Sequence, residues 1–221
     1  SVVYLSHTVP ETFAEKLRLQ GAKVCRKGND YEASMTAAAK SAKANNWVLL
    51  SDSSWPGYTE LPHRLMEGYL VMAAETVKQM KSAPTHIFLQ AGVGGLAAAC
   101  AAYFRSAWVD YPNIIVVEPE AAPALHDAIQ AGCFVSSTGP VSSMGRLDCK
   151  EASMIALNGL ARDADRFVLL SDHEVEDVMH DLADLGLATT PSGGAGLAAA
   201  LLGKVDLPSD ARILVILSEE A

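Results

Sequence analysis

The chain has 221 residues, half of them hydrophobic and 19% charged, a balance that supports a sizeable buried core and excludes intrinsic disorder. Its net charge of −9 comes without any Lys/Arg cluster, which argues against nucleic acid and anionic membranes as partners, since both recruit concentrated positive charge. Cys25, Cys100, Cys133 and Cys149 form no C-x-x-C pair and suit thiols in a reducing cytoplasm, and no apolar run reaches the roughly 18 residues a membrane span needs.

In chain order, the pattern predicts a strand over Val2–Leu5, then a helix over Pro10–Gln20, capped by Thr8 or Pro10 and stopped at Gly21. A strand over Ala22–Arg26, a helix over Tyr31–Asn45 and a third strand over Trp47–Leu50 follow. After the polar loop Ser51–Thr59 comes a long helix, Leu61–Lys81, with Pro62 in its first turn, where proline is tolerated. A strand over Thr85–Gln90 runs into the glycine turn Ala91–Gly95 and an Ala-rich helix, Leu96–Trp108. A strand over Ile114–Val117 and a helix over Ala122–Ala131 come next. Cys133–Cys149 reads as irregular, Glu151–Asp163 as helix, Arg166–Leu170 as strand and His173–Leu185 as helix. Thr189–Gly194 reads as a loop, Ala195–Leu202 as a short helix and Arg212–Leu217 as the last strand. Such alternation implies an α/β fold: a parallel twisted sheet with helices on both faces.

The expected division lies near residue 53, with a small α/β unit over residues 1–53 and a larger one over 54–221. A cleft belongs at the polar loop between them, because α/β ligands bind at the carboxyl ends of strands. The chain opens and closes flush with strands, so further residues are expected beyond both ends, more of them before Ser1. Ser1–Leu5 lacks the basic region of a signal peptide.

Three segments carry chemistry. In Thr85–Ala99 a strand enters a glycine turn that opens a helix. Glycines let the backbone approach an anion, and the helix N-terminus adds positive potential, so this is a phosphate cradle. It is not a P-loop, because no G-K-[ST] follows, and Ala97 breaks G-x-G-x-x-G. A tight turn without ligand is the alternative. Thr189–Gly196 offers a hydroxyl, Ser192, beside glycines, either to donate to a ring nitrogen or to cap a helix. Asp52, beside Trp55 and Tyr58, reads either as a turn cap or as an acid–base carboxylate whose partial desolvation would raise its pKa. The six histidines show no ligand spacing, and no metal is expected.

These segments together resemble diaminopropionate ammonia-lyase, a pyridoxal 5'-phosphate (PLP) enzyme of the tryptophan-synthase-β structural type (fold type II). The likeness rests on Asp52–Tyr58 followed by Pro62 and Met66–Tyr69, on Pro84–Gly94 (PTHIFLQAGVG), Ile114–Pro119 (IIVVEP), Met144–Cys149 (MGRLDC) and Ser192–Leu197. It spans nearly the whole chain. The resemblance implies a PLP-dependent α,β-elimination that turns 2,3-diaminopropionate into pyruvate and ammonia. Gly92, Val93, Gly94 and Gly95 would hold the PLP phosphate through backbone N–H groups, and Ser192 would face the pyridine nitrogen. Asp52 would act as base or acid near the substrate Cα and amine. Glu118 would reach the cofactor site at its strand end, and Trp55 and Tyr58 would line the substrate pocket. It further implies a small amino-acid substrate, a homodimer and a cytoplasmic setting.

Two departures matter. Pro56 replaces the family's usual residue. The family's Schiff-base lysine and the Asn-rich loop that grips the substrate carboxylate lie upstream of the segment matching Ser1, and this chain contains neither. Its nine lysines, from Lys16 to Lys204, read as solvated residues on helices or surface turns. The expectation is an N-terminal portion of about 100 residues outside this chain. The chain by itself should bind PLP weakly and eliminate slowly. Two other functions stay open: a serine/threonine dehydratase on the same scaffold, and a catalytically dead remnant that binds an anion or a partner.

Overall fold

A computed structural model of the chain describes residues 1–108 and 112–220. The chain divides into two compact units, Ser1–Leu50 and Ser51–Ala221. The break falls slightly earlier than residue 53, so Asp52 belongs to the larger unit.

In the first unit, β1 (Val2–Leu5) and β2 (Lys23–Arg26) pair in parallel, with Val2 opposite Lys23 and Leu5 opposite Arg26. The crossover is α1 (Glu11–Leu19), which ends at Gly21 in a left-handed conformation, φ +81°. Helix α2 (Tyr31–Asn45) starts where the Asp30 carboxylate accepts the Ala33 N–H at 2.7 Å, and stops at Asn46, φ +53°. The strand expected over Trp47–Leu50 does not form: Trp47, Val48 and Leu50 are exposed, and β1 and β2 pair only with each other among the described residues. An apolar run becomes a strand only where a neighbour takes its backbone groups.

The second unit holds α3 (Glu60–Gln79), β3 (His86–Gln90), α4 (Gly95–Ala107), β4 (Asn113–Pro119) and α5 (Ala124–Ala131). These are followed by α6 (Met154–Asp163), β5 (Arg166–Leu170), α7 (Asp172–Asp184), α8 (Pro191–Leu201) and β6 (Ile213–Val215). Its described strands form one parallel sheet in the order β5-β4-β3-β6, with Ile87 opposite both Ile114 and Leu214. The α/β fold with helices on both faces follows from alternation along the central strands. Ile87, Leu89, Ile114 and Val116 pack with Phe104 of α4, Ala73 of α3 and Leu160 of α6. Phe88, Ile115 and Val117 turn the other way, onto Val175 and Leu182 of α7 and Ala195 and Ala198 of α8. The strand order reverses at β3: β4 and β5 add on one side, β6 on the other. Ligands of open α/β sheets sit outside the carboxyl ends of strands at such a reversal.

Helix α7 begins with a reciprocal cap. Ser171 accepts the Glu174 N–H at 3.3 Å, and the Glu174 carboxylate accepts the Ser171 N–H at 2.9 Å. Ser171→Ala is expected to lower stability by about 1 kcal/mol, read as a lower urea midpoint at constant m-value. An unmoved midpoint would mean that α7 does not depend on this cap.

Candidate active site

At the carboxyl end of β3 the ladder continues one residue, with Ala91 N–H donating to Val117 O at 2.9 Å, before the chain turns through Gly92–Gly94 into α4. Gly94 is the N-cap residue, φ +98°, and α4 has neither a side-chain cap nor an acidic residue in its first turn. The first N–H groups of a helix have no partner within it, so this end presents donors and positive potential to an anion. Gly92 has no room for a side chain. A Cβ at Gly92 would lie 2.9 Å from Arg146 O and 3.1 Å from Leu147 Cα. Val93 is buried, and its carbonyl accepts the Ser153 N–H at 2.9 Å.

Residues 51–58 are stitched to the same Ser153. Ser54 Oγ lies 2.8 Å from Ser153 Oγ and accepts the Ile155 N–H at 2.9 Å, while Ser54 O accepts the Met154 N–H at 3.0 Å. Both serines are buried, so this polar knot is fully committed. It brings Asp52 to the glycine turn: a Cβ at Gly95 would lie 3.9 Å from Asp52 O and 4.0 Å from Tyr69 Cε2. Trp55 and Tyr58 stack with centroids 4.3 Å apart, and Tyr58 Oη accepts the Ser51 N–H at 3.0 Å. Asp52 is exposed, as are Pro56 and Gly57 on the same loop. Burial and then the nearby Asp52 charge push the Tyr69 hydroxyl above its ordinary pKa. Tyr69 thus joins the site without having been singled out from sequence.

Ser192 is not in a loop. Helix α8 starts at Pro191, with Thr190 as N-cap accepting the Gly193 N–H at 3.0 Å, so Ser192 lies in the first turn. The proline that looked like a loop residue is favoured at this first helical position. Ser192 is buried, and its Oγ accepts the Arg146 N–H at 3.1 Å. Arg146 therefore sets its N–H on Ser192 and its carbonyl beside the glycine turn. Its guanidinium, with the Thr190 hydroxyl, meets the Glu219 carboxylate. Ser218, beyond the end of β6, accepts a hydrogen bond from Gln90 Nε2 at 3.1 Å. Gln90, Ser218 and Glu219 escaped the sequence reading because isolated polar residues at strand ends carry no periodic signal.

Glu118 is fully buried at the end of β4, and its two oxygens accept the N–H groups of Leu125 and His126, each at 2.7 Å. The Glu118 carboxyl group caps α5 from within. Burial pushes its pKa from 4.5 up to about 8, against the pull of the two N–H groups. Between those values the folded chain holds a proton that the unfolded chain has released. Stability therefore falls as pH rises from 4.5 to about 8, by at most about 1.4 kcal/mol per unit. Comparing urea midpoints of the unsubstituted chain and Glu118→Gln at pH 5 and pH 8 checks this. The unsubstituted chain should lose more, and parallel curves would contradict it.

Lys150 departs from the expectation of solvated lysines. Its side chain is 20% exposed and donates to Ala121 O, Pro140 O and Asp148 Oδ1, which ties down the irregular segment. A cavity of about 620 Å³ opens at the end of β5, lined by Glu120, Ser171, His173, Glu174, Asp177 and Lys204, and includes none of the expected site residues. Among the described residues no three His, Cys, Asp or Glu side chains are grouped to hold a metal, no disulfide forms, and no helix is long and apolar enough to cross a membrane.

Comparison with known proteins gives these features a context. The family model described as pyridoxal-phosphate dependent enzyme matches residues 1–219. Diaminopropionate ammonia-lyase of Salmonella typhimurium is 34% identical over 71% of this chain and 41% of its own length. Its counterpart from Escherichia coli is 27% identical over 99% of this chain and 60% of its own length. The crystal structure of the Escherichia coli enzyme in complex with an aminoacrylate–PLP azomethine reaction intermediate superimposes with a TM-score of 0.88 at 26% identity, covering 99% of this chain and 61% of that one. The chain thus spans between two fifths and three fifths of the length of these relatives.

Proposed function

Because this chain belongs to the family of pyridoxal-phosphate-dependent enzymes, we propose that it forms the phosphate-binding part of an ammonia-lyase that converts 2,3-diaminopropionate and water to pyruvate and ammonia. The observation that carries this function is the glycine turn on the N-terminus of α4, with Asp52 on the adjoining loop.

PLP, when bound, supplies an electron sink for the pair released as a substrate Cα–H bond breaks. The backbone N–H groups of Gly92, Val93, Gly94 and Gly95 hold its phosphate, with the positive end of α4 behind them. Ser192 would donate to the ring nitrogen: its oxygen takes the Arg146 N–H, which leaves its own hydrogen to donate. Glu118 serves the cofactor site by fixing the start of α5. The stacked Trp55–Tyr58 pair walls the substrate. The Asp52 carboxylate attracts the positively charged β-nitrogen of a diamino acid and carries a proton at the substrate Cα or at the departing amine. The setting proposed is a cytoplasmic homodimer acting on a small amino acid. A serine/threonine dehydratase shares the glycine turn, but Asp52 beside that turn favours the diamino substrate, whose β-substituent is cationic.

4'-Deoxypyridoxine 5'-phosphate tests the cofactor assignment, because it lacks the aldehyde and needs no lysine. Titrated into the chain and followed by tryptophan fluorescence, it should bind at least about tenfold more tightly than 4'-deoxypyridoxine, since even one charge-assisted N–H to phosphate is worth that much. Equal affinities would remove the phosphate cradle.

A further inference from the structure

Gln90 ends β3 immediately before the turn, and its side chain is almost wholly buried. Nε2 turns its two hydrogens to three acceptors, Ile216 O at 2.9 Å, Gly193 O at 3.0 Å and Ser218 Oγ at 3.1 Å, so one hydrogen is shared. Carbonyl oxygens only accept, so the nitrogen has to face them, and a flipped amide would set oxygen against oxygen. The orientation of the amide is therefore fixed. The consequence is an Oε1 with no hydrogen-bond partner among the described residues. A buried orphan acceptor costs about 1–3 kcal/mol, which a hydrocarbon side chain of the same shape would avoid. Helix α8 also yields space to it, since a Cβ at Gly196 would lie 2.9 Å from Oε1.

What offsets that cost is the seam the amide closes. Gly193 follows Ser192 in the first turn of α8, and Ile216 and Ser218 lie just beyond the end of β6. Two further bonds run along the same seam, Ser218 N–H to Gly193 O at 3.4 Å and Thr189 Oγ1 to Glu219 O at 2.7 Å. Because Ser218 Oγ accepts from Gln90, its own hydrogen points elsewhere and can serve an acceptor.

We propose that Gln90 is a positioning residue for the cofactor ring, its amide clamping the end of β6 to the first turn of α8 so that the Ser192 and Ser218 hydroxyls stand at a fixed reach from the glycine turn. The inference rests on the cofactor assignment above. It separates two jobs at one strand end: the backbone after Gln90 serves the phosphate, and the Gln90 side chain serves the ring.

The test measures two ligands on the full chain, inorganic phosphate for the turn and 4'-deoxypyridoxine 5'-phosphate for turn and ring together. Gln90→Met keeps the shape and removes the donors. It should weaken the ring ligand by about tenfold, the equivalent of one lost hydrogen bond, and leave inorganic phosphate within about twofold. Gln90→Glu supplies a second readout that a merely structural role would not move. Its carboxylate cannot donate, but its protonated form can, so affinity for the ring ligand relative to the unsubstituted chain should recover as pH falls. Parallel weakening of both ligands by Gln90→Met, or no weakening of either, overturns the inference. If Gln90→Met fails to fold, a Gln90→Glu profile that runs parallel to the unsubstituted chain across pH overturns it instead. Failure of the unsubstituted chain to bind the ring ligand is a different result, and it removes the cofactor assignment as well.

Discussion

Gly94→Val should abolish measurable binding of PLP or its deoxy analogue and destabilise the chain at the same time. Gly94 holds φ +98°, which a β-branched residue adopts only under strain, and its Cβ would lie 3.0 Å from Leu125 Cδ1 and 3.2 Å from Ala156 Cβ. Strain of about 1–3 kcal/mol and overpacking of similar size combine to about 2–6 kcal/mol. The turn can relieve them only by moving the N–H groups that face the phosphate, so affinity should fall at least about 100-fold, equivalent to losing two N–H contacts. Calorimetric titration and urea melts measure the two effects. Gly57→Ala is the control: φ is +85° there too, but nothing lies within 4 Å of the new Cβ. It should cost about 1 kcal/mol of stability and leave phosphate affinity unchanged. Native affinity in Gly94→Val would show that the turn is not the cradle.

Asp52→Asn, in the enzyme expressed from its full reading frame, should lower kcat by about 10²–10⁴, the usual span for one general acid–base group. Affinity for 4'-deoxypyridoxine 5'-phosphate should stay the same, because it is the main-chain oxygen of Asp52, not the carboxylate, that lies against Gly95. Loss of both together would make Asp52 a structural residue of the loop, and unchanged kcat would take the proton from another group. Since Tyr69 carries a raised pKa partly through the Asp52 charge, Asp52→Asn should also bring the Tyr69 hydroxyl down towards its ordinary range, which ultraviolet pH titration can follow.

The central strands were legible because each is a short apolar run with turn residues at its ends, and Tyr31–Asn45 was read to the residue because Asp30 and Asn46 mark its limits chemically. The glycine turn was legible for the same reason: its sequence states its backbone needs. Two of the misreadings share one cause, long-range partners. Trp47–Leu50 is apolar but finds no neighbour strand among the described residues. Lys150 looked solvated because two of its three acceptors, Pro140 O and Asp148 Oδ1, lie in a segment without periodicity and the third, Ala121 O, is 29 residues away. The Gln90 clamp joins residues more than a hundred positions apart, at Gly193 and Ser218, so nothing local could announce it.

The most direct test of the function is the rate of pyruvate release from 2,3-diaminopropionate and from serine, with PLP present, by the protein expressed from its full reading frame. The expected result is a kcat/KM for diaminopropionate at least about tenfold above that for serine, the worth of one charge-assisted contact to the β-nitrogen, with the gap closing in Asp52→Asn. Serine turned over as well as diaminopropionate or better, with Asp52→Asn leaving the ratio unmoved, would contradict it and assign the site to a dehydratase.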